Sequence, residues 1–127
     1  MAKHLILSNS MLLIRVTAER IAYISSDGSY STMVLVGGKR HIFSFNLSAF
    51  EKQLEQQFGT ESQVFIRLGK GLIINSDYIY SINISKQELI LSGVGFTEDF
   101  VLSASRDALK SLKTVLEESI KSRRIGI

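Results

Sequence analysis

The spacing of apolar residues changes along this chain of 127 residues. In most of the chain, apolar and polar residues alternate in short runs, which is the period of a strand with one buried face. In 47–58 and 106–120, apolar residues instead recur every three or four positions, the period of an amphipathic helix. The pattern predicts strands at 11–17, 21–25, 30–36, 39–45, 63–68, 72–75, 78–84, 88–92 and 96–102.

The first predicted helix carries signals at both ends. Asn46 can cap its first turn, and Phe45 and Phe50 are placed to pack against each other across that cap. Gly59 can end the helix, because glycine accepts the left-handed backbone that follows many helices.

The order of the elements limits the fold. The second helix comes last, with Ser103 or Ser105 as its cap, and the helices do not alternate regularly with strands, which argues against a doubly wound parallel sheet. The length suits one domain with its own core. The chain is therefore predicted to be strand-dominated, with one internal and one C-terminal helix. The apolar residues expected in the core are Phe50, Leu54, Phe65, Ile79, Leu109 and Leu112.

Composition narrows the classes of protein only modestly. The chain is 45% hydrophobic and 21% charged, as ordinary globular domains are, and no apolar run reaches the ~20 residues of a membrane-spanning helix. It has no cysteine, which excludes disulfides and fits a reducing compartment. We therefore expect a cytoplasmic protein without a membrane partner. The net charge of +3 permits a nucleic-acid partner without requiring one.

Few residues form a pattern typical of catalysis. His4 and His41 have no metal-binding partner at a useful spacing, and Glu98 and Asp99 should point to opposite faces of a predicted strand. The serines between residues 25 and 31 are typical of a turn. We expect no enzymatic activity, no small-molecule substrate, no cofactor and no metal.

One interruption of an apolar stretch needs an explanation. Residues 65–82 are mostly apolar, but Gly69, Lys70 and Gly71 break the run. Glycines let a backbone approach a partner closely, and lysine supplies a point charge for a phosphate. The segment is therefore a candidate contact for a polyanion, and a plain hairpin turn with a solvated lysine is the alternative.

Three stretches of the chain together resemble the LytTR family of bacterial DNA-binding domains. They are IAYISSDGSY at 21–30, FIRLGKGLIINSDYI at 65–79 and FVLSASR at 100–106. With the capped helix after the first stretch, the resemblance covers about residues 11–118. The residues of the second stretch that fall in register with the family pattern are Phe65, Arg67, Asn75 and Ile79.

The resemblance implies an all-β fold of small antiparallel sheets with short helices, which reads double-stranded DNA through loops that enter the major groove. It therefore implies a bacterial, response-regulator-like, sequence-specific transcription regulator, and a homodimer on repeated sites is a further expectation. The LytTR-like domain should occupy residues 11–120, between an N-terminal arm at 1–10 and a basic C-terminal tail at 121–127.

The resemblance also implies which residues face DNA. Gly69, Gly71 and Leu72 replace the family's usual histidine, serine and tyrosine, and Lys70 keeps the charge of the usual arginine without its bidentate fork. These changes favour phosphate contact over base readout at that loop. We expect the three loops to converge on one face. The implied DNA-facing residues are Ser29, Tyr30, Ser31, Arg67, Gly69, Lys70, Gly71, Ser105 and Arg106.

Several of these residues have a second interpretation. Tyr30 fits a packing role at the start of its strand, which we favour, and Arg67 fits an ion pair with an acidic partner. Arg106 fits a surface pair with Asp99 or Asp107. For the whole domain, the alternative is a protein-interaction module on the same scaffold, which would use exposed strand edges or the C-terminal helix.

Overall fold

The computed structural model of the protein describes residues 3–124, and the side chains of residues 3–120. Two α-helices, α1 (Leu47–Phe58) and α2 (Arg106–Arg124), lie among short strands. Turns of 3-10 helix cover Ala18–Arg20, Gly59–Val64 and Ser76–Tyr78. The strands are β1 (His4–Ser8), β2 (Leu13–Thr17), β3 (Ile21–Asp27), β4 (Tyr30–Leu35), β5 (Arg40–Phe43), β6 (Phe65–Leu68), β7 (Leu72–Asn75), β8 (Ile79–Asn83), β9 (Glu88–Leu91) and β10 (Phe100–Ser103).

The strands of the described residues form three small sheets. The largest has the order β5-β4-β3-β7-β6, the second has the order β10-β9-β8, and β1 and β2 form the third. Neighbouring strands are antiparallel throughout. The predicted fold class, mainly β with small antiparallel sheets and two helices, is thereby confirmed.

The five-stranded sheet is buried on both faces. In β3, Ile24 packs into one buried cluster and Tyr23 into the other, and Ile73 and Ile74 of β7 divide in the same way. Successive side chains of a strand point to opposite faces. Where both faces are covered, consecutive positions of these strands must be apolar, which explains the runs IAYI and LII in the sequence.

Helix α1 and the β1–β2 sheet cover the first face. Asn46 Oδ1 accepts a hydrogen bond of 2.9 Å from the N–H of Ala49, and the rings of Phe45 and Phe50 lie 5.6 Å apart, centre to centre. The helix ends at Gly59, whose φ is 60°. The predicted cap, hydrophobic staple and helix end are confirmed. The buried side chains of α1 are Leu47, Phe50, Leu54 and Phe58.

Strand β1 lies in the segment that the sequence analysis assigned to an N-terminal arm. Leu5 and Leu7 are buried in the core, so this segment is an integral strand. Its outer edge is closed by Gln57 of α1: the N–H of Ile6 donates to Gln57 Oε1 at 2.7 Å, and Gln57 Nε2 donates to the Ile6 carbonyl at 2.9 Å. The partner is 51 residues away, so a short local pattern did not predict the strand.

Helix α2 and the three-stranded sheet cover the second face. The Ser105 hydroxyl caps the helix by accepting a hydrogen bond of 3.1 Å from the backbone N–H three residues on. Leu109 and Leu112 are buried, whereas Ile120, the last residue of the range where apolar residues recur at helical spacing, is 50% exposed. The predicted basic tail, residues 121–127, lies outside the part of the chain whose side chains are described.

The last strand begins at Phe100, four residues later than predicted. Phe96 instead places its ring 5.0 Å from that of Tyr78 and 5.6 Å from that of Phe100. The Tyr78 hydroxyl donates a hydrogen bond to the Glu19 carbonyl. Burial raises the pKa of Tyr78, and the charges of Glu19 and Asp77 act in the same direction. An aromatic cluster therefore takes the place of the first part of the predicted strand.

The six predicted core residues are confirmed in part. Four are at most 3% exposed, while Phe65 and Ile79 are half-buried and pack against the two clusters. Phe65 lies on β6, an edge strand of its sheet, which leaves one side of it open.

Asn75 connects the end of β7 to the start of β3. Its side chain is 1% exposed, and its Nδ2 donates to the carbonyls of Ala18 at 3.2 Å and Ile21 at 3.0 Å. Its Oδ1 accepts from the N–H of Asp77 at 3.1 Å. The asparagine that falls in register with the family pattern therefore satisfies three backbone groups.

We predict that Phe50→Ala or Leu112→Ala lowers the free energy of unfolding by about 2–5 kcal/mol, because each empties a buried site. Ile42→Ala is the control, since Ile42 is 71% exposed and surface changes stay within about 0.5 kcal/mol. Chemical denaturation measures all three variants. Midpoints equal to the wild type in both core variants would contradict the assignment of these faces.

We predict that Asn75→Ala lowers the free energy of unfolding by about 1–3 kcal/mol or more, because it leaves buried backbone groups without partners. The control is Asn83→Ala, whose Oδ1 accepts from Ser85 and Lys86 in an exposed turn. The same denaturation experiment compares the two. A smaller loss for Asn75→Ala than for Asn83→Ala would show that the buried network contributes little.

Candidate nucleic-acid interface

Two of the three predicted DNA-facing loops lie at the same end of the five-stranded sheet. Strand β7 pairs with β3 so that Leu72 lies opposite Ser25, which places the turn at 69–71 beside the turn at 28–29 between β3 and β4. A hydrogen bond of 2.9 Å from the N–H of Ser26 to the Gly71 carbonyl joins the turn at 69–71 to the last part of β3, two residues before the turn at 28–29. The pairing of β3 with β7 thus sets the relative position of these loops.

The third segment, at the start of α2, reaches the same place. A concavity of about 490 Å³ is lined by residues 69–71, by residues 103–105, and by Tyr23 and Ser25 of β3. We call the surface formed by residues 28–30, 69–71 and 103–106 the loop face. The structure therefore brings the second and third segments together, and it places the turn at 28–29 at the same end of the five-stranded sheet as the second segment.

The turn at 69–71 offers open backbone to a partner. Gly69 has a φ of 63°, a conformation that favours glycine, whereas Gly71 does not have a positive φ. A Cβ built at either glycine would have no neighbour within 4 Å. The fold therefore explains glycine at 69 but not at 71. Lys70 between them is exposed.

Arg67, two residues before this turn, forms hydrogen bonds to the turn and to helix α1. Its Nε donates to the Gly69 carbonyl at 3.2 Å, and its Nη2 donates to the Lys70 carbonyl at 3.4 Å. Its Nη1 lies 3.4 Å from Glu51 Oε1 and 3.2 Å from Ser48 Oγ on α1. The ion pair that the sequence analysis kept as an alternative for Arg67 is the arrangement found.

Ser105 and Arg106 are exposed where α2 begins. Ser105 caps the helix, so its hydroxyl has a structural bond. Arg106 forms no ion pair with Asp99 or Asp107 within the part of the chain that the structure describes. Its guanidinium is therefore without a carboxylate partner among the described residues.

The first loop differs from expectation in two side chains. Tyr30 is 52% exposed, so the packing role that we favoured is wrong. Ser31 is fully buried, and its hydroxyl donates to the Phe45 carbonyl at 2.7 Å. Ser31 shares a strand face with Met33 and Leu35, both buried. The prediction that Ser31 faces DNA is therefore wrong. The alternation of residues along β4 already indicated that Ser31 lies on the buried face.

Ser29 and Tyr30 also lie apart from the concavity that Lys70 lines. Both are exposed. Tyr30 borders a separate concavity of about 330 Å³ with Asn9, Leu12 and Ile42. The first loop therefore adjoins the other two at the sheet end but leans toward the β1–β2 hairpin.

Among the described residues, no group of histidine, aspartate and glutamate could hold a metal ion. In the same part of the chain, no helix is both long and apolar enough to cross a membrane.

The family model of the LytTr DNA-binding domain matches residues 12–117 of this chain. The fold and this match together place the chain in the class of DNA-binding domains. The chain belongs to the LytTR family. No curated protein matches it.

A solved structure shows the same fold. It is described as the LytTr DNA-binding domain of a methyl-accepting/DNA response regulator from Bacillus cereus. The TM-score is 0.60 at 17% sequence identity, over 90% of this chain and 96% of that chain. At this identity the likeness concerns the fold.

Proposed function

We propose that this LytTR domain is a transcription regulator that binds double-stranded DNA sequence-specifically, with the loop face in the major groove. The observation that carries the proposal is that the exposed turn with Lys70 and the start of α2 line one concavity, beside the turn at 28–29 that follows β3. Arg106 is exposed next to that concavity, directly after Ser105. The protein-interaction alternative has no comparable support. Binding as a homodimer to repeated sites stays a prediction.

Lys70 is suited to a phosphate. Its ammonium is exposed and without an ion pair among the described residues, and its flanking glycines leave the backbone open on the outside. The exposed N-terminus of α2, which borders the same concavity, adds backbone N–H groups and the positive end of a helix dipole. Phosphate contacts of this kind fix the register of a protein on the duplex.

Arg106 is suited to a base. A guanidinium presents planar paired donors that match the O6 and N7 acceptors of guanine. Arg106 lies on the first turn of a helix, so its position is more rigid than that of a loop residue. The remaining exposed contacts in the proposal are Ser29, Tyr30, Gly69, Gly71 and Ser105.

We predict that Lys70→Ala weakens binding about equally for all sequences and lowers the slope of log K against log salt by about one unit, because one fewer counterion is released. The control is Lys39→Ala, another exposed lysine beside a glycine, in the turn at the opposite end of β4. Salt titrations against random duplexes measure both. An unchanged slope in Lys70→Ala would make this lysine a solvated turn residue.

We predict that Arg106→Ala costs about 1–3 kcal/mol of binding free energy on the preferred site and relaxes the preference at one base pair. Lys110→Ala, one helical turn further and exposed, should leave the sequence preference intact. Selection from a random-sequence duplex pool gives the preference of each variant. Identical preferences in wild type and Arg106→Ala would remove the base contact from the proposal.

The wild type itself tests the whole proposal. If it shows no binding to a broad duplex pool at low salt, the DNA function fails, and the protein-interaction module takes its place.

A further inference from the structure

We propose that Arg67 is a positioning residue for the turn at 69–71 rather than a DNA contact, and that it holds this turn against helix α1. The inference rests on the proposed function and deepens it. In this arrangement, Arg67 of β6 links the proposed DNA-facing turn to helix α1.

The bonds of Arg67 define this role. One guanidinium binds two consecutive carbonyls of the turn, those of Gly69 and Lys70, and also reaches Glu51 and Ser48 of α1. The Arg67 side chain is 28% exposed. A guanidinium that donates in three directions within the protein has little capacity left for a phosphate, and the Glu51 carboxylate beside it would repel one.

The same bonds orient the peptide groups of the turn. In a trans peptide the N–H points opposite to the carbonyl of the same unit. Because Arg67 binds the Gly69 and Lys70 carbonyls, the N–H groups of Lys70 and Gly71 point away from Arg67 and α1. Neither of these N–H groups donates to a described turn or side-chain acceptor. Arg67 therefore presents two successive backbone donors, on either side of Lys70 in the chain, on the side away from α1.

A turn with two glycines needs such a restraint. Glycine is the most flexible residue, so a free Gly-Lys-Gly turn would lose entropy when DNA fixes it. Arg67 restrains two carbonyls from one side, and the Ser26 N–H restrains that of Gly71 from the β3 side. The arrangement needs the planar fork of arginine, because a lysine ammonium cannot span the two carbonyls and Glu51 in the same geometry.

The binding test compares Arg67→Lys and Arg67→Met, with and without Lys70→Ala, on a duplex enriched from a random pool by the wild type. We expect both Arg67 variants to weaken binding about tenfold, the scale of coupling between contacting residues, and Lys70→Ala to add little in either background. A direct phosphate contact predicts the opposite: Arg67→Lys keeps most of the affinity, and the Arg67→Met and Lys70→Ala losses add. That result would overturn the inference.

Glu51→Gln tests the inference because the expected change in DNA affinity is opposite to the change that charge alone predicts. Removing a carboxylate from a DNA-binding surface normally strengthens binding, but here it should weaken binding because Arg67 loses an anchor on α1. Glu55→Gln is the control, with the same charge change one turn along α1 at an exposed position. Equal or tighter binding by Glu51→Gln, matching Glu55→Gln, would contradict a role for α1.

A measurement without DNA separates this inference from the proposed function. The backbone amide signals of residues 69–71 in NMR spectra should shift in Arg67→Met and in Glu51→Gln, while those of the Gly37–Gly38 turn stay in place. If the wild type binds no DNA, the proposed function fails but these spectra still test the positioning. Unchanged amide signals at 69–71 in both folded variants would overturn it. If Arg67→Met does not fold, Glu51→Gln decides the outcome.

Discussion

The antiparallel pairing of β3 with β7 is the constraint on which the rest of the structure depends. Both strands lie at the centre of a sheet that is buried on two faces, so their register is fixed by apolar side chains on each side. Ile24 and Ile73 pack into one cluster, and Tyr23 and Ile74 pack into the other. If either strand shifted by one residue, its side chains would point into the wrong cluster. Because this register is fixed, the turns at 28–29 and 69–71 must lie side by side at one end. The packing of the core thus determines the geometry of the loop face.

The loop face depends on geometry more than on total charge. The chain carries a net charge of only +3, and Asp27 and Asp107 lie next to the segments that would meet DNA. A weak overall field gives little long-range attraction, so we expect the affinity for DNA to come from a few well-placed groups. The bonds that Arg67 and Ser26 make to the turn at 69–71 provide such placement. In the proposed surface, a rigid sheet holds a restrained turn beside the capped start of α2.

Much of this could be predicted from the sequence, because it is encoded locally. Helix α1 has its cap, staple and terminal glycine within fifteen consecutive positions, 45–59, and its bounds were predicted correctly. The features that could not be predicted from the sequence depend on partners far away along the chain. Strand β1 is closed by Gln57, and Arg67 is held by Ser48 and Glu51 of a preceding helix. The burial of Ser31 is a different case, since the alternation with Met33 and Leu35 was present in the sequence and the family resemblance outweighed it.

The central claim, that the three segments of the loop face form one DNA surface, is tested most directly by mapping amide signals of the wild-type chain during titration with an enriched duplex. The account predicts perturbations at residues 28–30, 69–71 and 103–106, and none at the turns 37–39 and 85–87 in other parts of the molecule. Perturbations centred on those two turns, or at only one of the three segments, would contradict it.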